Sequence, residues 1–186
     1  MTTPANAFEE ARERHAHGSE GPRWVPVAAA ALAVLAALSG YLSNLRSTGA
    51  LIAKNDSIVA ITRTSDTYNE FQAGRLKFYV SQSAIDAGVG PGGNLRRLKA
   101  NAKRESAKGA PLLEKAARFE REAERDNARS EHLLAQHETI EVATTLFEVS
   151  IVLVSITALV GSRLLPIVAG AASGLGLLIF AYGLLR

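Results

Sequence analysis

Residues 144–166 read TTLFEVSIVLVSITALVGSRLLP, and the fold turns on how that stretch is understood. Its apolar run has the length of a helix that crosses about 30 Å of hydrocarbon. Glu148 nevertheless sits well inside it. An ionised carboxylate at such depth costs a few kcal/mol on insertion scales. The surroundings of the run must say whether lipid is its solvent and what the acid faces.

The rest of the chain is segregated in the same way. Residues 24–45 and 164–185 contain no charged side chain, and between 139 and 162 the only charges are Glu141 and Glu148. Of the 21 Lys and Arg, 16 lie between 46 and 139. A water-soluble fold interleaves apolar and charged residues at the period of its elements, whereas here the apolar residues come in blocks of about 20. The expected fold is an all-α membrane protein with three transmembrane helices, at 24–45, 140–161 and 164–185. Residues 46–139 are expected to form a long extramembrane antiparallel helical hairpin, coiled-coil-like, between spans one and two.

The first span opens with Trp24 at interfacial depth and carries a proline in its first turn, where it does least harm. The 23 residues before it hold four acids against three Arg. That is unlike the short basic start of a cleavable signal, so an uncleaved anchor behind a mobile tail is expected. Leu38, Leu42, Leu45, Ile52, Ile58, Thr62, Ser65, Tyr68, Gln72, Leu76 and Tyr79 continue at helical intervals to about residue 87, with Gly49 and Gly74 as weak points. GVGPGGN, 88–94, is the strongest turn signal. A basic helical stretch follows, then Gly109 and Pro111, which suggest a kink or restart. From Leu112 the steps alternate between four and three: Ala116, Phe119, Ala123, Asp126, Ser130, Leu133, His137, Ile140, Thr144, Phe147. This heptad seam is made imperfect by its polar members. Legs of 42 and 45 residues, 46–87 and 95–139, match in length. Their seams are rich in Ala, Ser and Thr, so burial is thin and a partner hairpin is expected.

SDTYNEFQAGRLKFY (65–79), EKAARFEREAERDNARSEH (114–132) and LFEVSIVLVSITALVGSR (146–163), in that order, resemble the bacterial membrane protein family called domain of unknown function 4337. The resemblance implies one span, a charged helical region and two spans near the C-terminus. It brings no catalytic residues and no cofactor. The GVGPGGN turn and its basic helix depart from the family pattern.

Glu148 is the foremost candidate site residue. No Lys or Arg lies within any span to neutralise it, which leaves hydroxyls and amides such as Ser39, Tyr41, Asn44 and Tyr182, or the Glu148 of another subunit. Glu141 lies one heptad earlier, near the interface. The pair reads either as interhelical hydrogen-bonding glue or as a track for ions or protons. Gly170 and Gly174 form a GxxxG in span three, and Gly40 belongs to a small-residue stripe in span one. Both read as helix-packing faces or as plain small-residue bias. Arg96, Arg97, Lys99, Lys103 and Arg104 offer a face for anionic lipid or an acidic partner, or are simply a solvated helix. No cysteine is present, and no phosphate loop, nucleophile elbow or dinucleotide fingerprint occurs. His132 and His137 are five apart and read as surface or seam residues. With a net charge of +3 and no basic aromatic platform, nucleic acid is not an expected partner.

Two functions are expected: a non-enzymatic scaffold or interaction protein that self-associates, or an oligomeric channel or transport component using Glu148. The bacterial cytoplasmic membrane is the expected location. The charge balance leans to a cytoplasmic N-terminus and an external hairpin.

Overall fold

The computed structural model describes residues 24–88, 93–160 and 162–186. Among them are three helices and no strand: α1 is Trp24–Asp86, α2 is Gly93–Val160 and α3 is Leu164–Leu185. The expected tail, 1–23, and residues 89–92 of the expected turn lie outside the described residues. Gly88 enters that turn at φ +68°, a left-handed conformation that glycine adopts without a Cβ penalty.

Each helix contains an 18-residue window apolar enough to cross a membrane, with mean hydropathy of 2.0, 2.0 and 2.1. Only 11%, 28% and 11% of those windows is buried inside the protein. The apolar side chains are thus mostly turned outward, the pattern of helices that are apolar all round.

The chain divides into two compact units, the described part of Met1–Arg46 with Ala135–Arg186, and Ser47–Leu134. In the second unit, Ser57 Oγ donates to the carbonyl of Ala123 (2.9 Å), and Ser130 Oγ donates to the carbonyl of Ala50 (2.8 Å). Lys54 Nζ donates to Asn127 Oδ1 at 2.6 Å. Gly109 lies against Phe71, and Gly74 against Glu105. Partner positions fall along α2 as they rise along α1, so the two legs run antiparallel. In this unit the buried positions on α1 are Ala50, Ala53, Ser57, Ala60, Thr64, Thr67 and Ser81. On α2 the buried positions of this unit are Ala102, Ala116, Ala123 and Ser130. Heptad steps are kept, but the knobs are small, and only such a seam lets serine hydroxyls reach a neighbouring backbone carbonyl.

The α2 seam expected from Leu112 onward points inward at every position through Phe147, with none of its members exposed. Its polar members are accommodated rather than expelled: Asp126 is 16% exposed and lies 3.7 Å from Arg125, and Ser130 bonds across to α1. The α1 stripe is different. Leu38, Leu45, Ile52, Ile58, Thr62, Ser65, Gln72, Leu76 and Tyr79 are exposed, and the helix buries its small residues instead. Nor does α2 restart at Gly109 and Pro111, because the helix runs through both. Pro111 is on the exposed face, where the carbonyl left without a donor is open to water.

The first unit has its own core. Val25, Val154 and Ala169 are buried together, with Ala28, Ala29, Leu32 and Leu153 against them. Phe147 and Ile140 are fully buried. A Cβ added at Gly176 would come 3.0 Å from the Phe147 ring, and one at Gly183 would come 3.0 Å from Ile140. These glycines let α3 approach α2 closely.

Candidate functional site

Glu148 and Glu141 fall on the outer flank of α2, both exposed. The steps Glu141, Thr145, Glu148, Val152, Ser155, Leu159 alternate four and three residues, and every member is exposed. This is a second heptad stripe, rotated away from the seam that packs within the chain. Thr145 Oγ1 donates to the Glu141 carbonyl and Ser155 Oγ to that of Ile151, so each hydroxyl keeps its lone pairs for another donor. Glu148 has no hydrogen-bond or ion-pair partner among the described residues.

Of the partners offered by sequence for Glu148, Ser39 is engaged elsewhere, while Tyr41, Asn44 and Tyr182 are exposed and make no hydrogen bond to it. Thr144 Oγ1 donates to Ser39 Oγ (2.9 Å), which donates in turn to the Ala36 carbonyl. One turn away, Ser43 Oγ and His137 Nδ1 are 2.7 Å apart, and His137 Nε2 lies 3.4 Å from Glu141 Oε2. Sequence reasoning missed this cluster. It weighed His137 against His132, five positions back, and overlooked the i,i+4 spacing of His137 to Glu141 that puts both on one helix face. The residue types are those of a hydrolytic triad, but Ser43 is only 5% exposed and its helical setting spends the nearby N–H groups. The cluster ties α1 to α2.

Gly170 and Gly174 look outward, with nothing within 4 Å of an added Cβ. Gly40 meets Thr144 Cγ2 at 3.8 Å, an ordinary contact. The closest helix approaches are instead at Gly176 and Gly183, which a GxxxG search passes over because they are seven apart.

Near the start of α2, Arg96, Arg97, Lys99, Lys103 and Arg104 are exposed, while Leu95, Leu98 and Ala102 turn inward. None of the five cations forms an ion pair among the described residues; Glu105, the nearby acid, pairs with Lys108 at 3.0 Å. Further along the 47–134 unit, an open groove of about 580 Å³ is lined by Lys54, Ile58, Ile61, Glu120, Glu124 and Asn127. At its edge Tyr68 Oη donates to Glu120 Oε1 (3.2 Å). That hydrogen bond, then the carboxylate's charge and slight burial, raise the phenol above its ordinary 10.0.

No group of three or more His, Asp or Glu among the described residues is placed to hold a metal ion. What these features define, among the described residues, is three helices, each with a stretch long and apolar enough to span a bilayer, and two acids, Glu141 and Glu148, in or beside the apolar stretch of α2. The chain matches the family model described as Domain of unknown function (DUF4337) over residues 22–186, and it belongs to that family. No curated protein and no solved structure matches it.

Proposed function

We propose that the protein is a non-enzymatic integral membrane scaffold that self-associates through its helical hairpin and the small-residue faces of its spans. In this reading 24–45, 140–161 and 164–185 cross the bacterial cytoplasmic membrane, 46–139 form the extramembrane hairpin, and the hairpin lies outside. The partners are lipid and further copies of the chain.

One observation carries the reading. In the 47–134 unit the buried side chains are alanine, serine and threonine, with Leu112, Phe119 and Leu133 only half-buried, while Leu51, Ile52, Ile58, Val59 and Ile61 are 47–69% exposed. Large aliphatics left in water favour association, and a small-residue seam buries too little to stabilise two long legs by itself. A second hairpin covers both deficits, with Lys54, Glu120 and Glu124 at the groove rim available for pairing across copies. The test is the native mass of the full chain in nanodiscs. An oligomer is expected, and Ile52→Glu with Ile58→Glu should weaken it at least tenfold, about 1.4 kcal/mol. A monomer at every concentration sinks the proposal.

The stripe through Glu141 and Glu148 favours a second reading, an oligomeric channel or transport component whose carboxylates handle protons or cations. Proton or cation flux into liposomes that Glu148→Gln abolishes would select it; a stable oligomer without flux selects the scaffold.

A further inference from the structure

We infer that the outer flank of α2 packs against α2 of a second copy, with the Glu148 carboxyl hydrogen-bonded to its own counterpart. The inference rests on the self-associating membrane reading and names a place where copies meet. Its starting point is the position of Glu148, on the outward side of an apolar helix with no partner among the described residues. Lipid tails offer neither donors nor acceptors, so intramembrane acids are found paired or facing a polar cavity. The hydroxyls of the chain's own seam, Ser39, Ser43 and Thr144, are engaged with one another, with His137 or with backbone carbonyls.

A second copy fits the flank for three reasons. The six positions from Glu141 to Leu159 keep heptad steps, the spacing by which one helix seats knobs in another. Copies inserted in one membrane share their orientation, so a two-fold axis runs along the bilayer normal. Each seam residue then meets its counterpart at the same depth. Finally, a neutral carboxyl donates and accepts at once, so two of them are self-complementary without a cation. The lone pairs of Thr145 and Ser155 lie a turn or two to either side.

The chain contains no cysteine, so single substitutions report cleanly on proximity. In membranes holding the full-length chain, Val152→Cys should cross-link between copies much faster than Ile167→Cys, an exposed position on α3. Dimerisation should weaken about tenfold in Glu148→Leu, the scale of one or two intramembrane hydrogen bonds, and stay within about threefold in Glu148→Gln, whose amide still donates and accepts. Helical circular dichroism checks that each variant folds. Equal cross-linking at Val152 and Ile167, or Glu148→Leu dimerising as strongly as the parent, overturns the inference. Ile58→Cys separates the two proposals. If it cross-links while Val152→Cys does not, the seam is wrong and self-association stands. If neither cross-links and the native mass is that of a monomer, both fall.

Discussion

Tyr68 and Glu120 show how a single contact becomes a measurable property. A phenol whose folded pKa is raised stabilises the fold below the ordinary value, near pH 10, and that contribution is lost as pH rises through the folded value. Tyrosinate absorbance, read as wild type minus Tyr68→Phe, should therefore place Tyr68 above the ordinary 10.0. Glu120→Gln should bring it back down, because the carboxylate's charge is gone. Glycines make the other residue-scale case. At Gly176 or Gly183 a leucine has Phe147 or Ile140 in its way and should cost about 1–3 kcal/mol. The same change at Gly170 or Gly174 meets nothing within its own chain, so it should spare the fold of the single chain and weaken only self-association through that face.

Hydrophobic periodicity sees large side chains, and this decides how legible each helix is. Along α2, leucine, phenylalanine and isoleucine mark the inward face often enough that the seam from Leu112 to Phe147 can be read residue by residue. Along α1 the large residues mark the outward face, and the inward one is written in Ala50, Ala53, Ser57, Ala60, Thr64 and Thr67. Alanine and serine give a weak signal in such a reading, although their 3,4 spacing was there to be found. Gly109 and Pro111 misled for a related reason: a proline on the exposed side of a long helix loses one hydrogen bond without ending it. The small seam has a testable corollary. Ala60→Leu or Ala123→Leu should force the legs apart and lower hairpin stability by about 1–3 kcal/mol, measured by thermal unfolding in nanodiscs. At the other end of the hairpin, converting Arg96, Arg97, Lys99, Lys103 and Arg104 to Gln should abolish salt-sensitive co-sedimentation with anionic vesicles, if those residues dock there.

At the scale of the whole molecule, the three apolar stretches and their order were plain in composition alone, since each is a nearly uncharged block with the length of a bilayer span. The candidate site was half legible. Glu148 stood out as an acid in an apolar run, but only its place on the helix shows that it faces away from Ser39, Ser43 and Thr144. In the His137 cluster only Ser43, 94 residues away, was hidden; the i,i+4 spacing of His137 to Glu141 was there to be read. A reporter fused near the hairpin turn checks the orientation, and activity on the outer side is the expected outcome.

The close fit of Gly176 to Phe147 and of Gly183 to Ile140 bears on biogenesis. α2 carries two acids into an apolar stretch, whereas α3 carries none, and only residues 161–163 separate them. In the proposed membrane-spanning reading, helices so near in sequence and so tightly matched can partition from the translocon as a pair, with the uncharged member offsetting the reluctance of the acidic one. A chain truncated before Leu164 would ask α2 to enter lipid alone, and its insertion efficiency should drop.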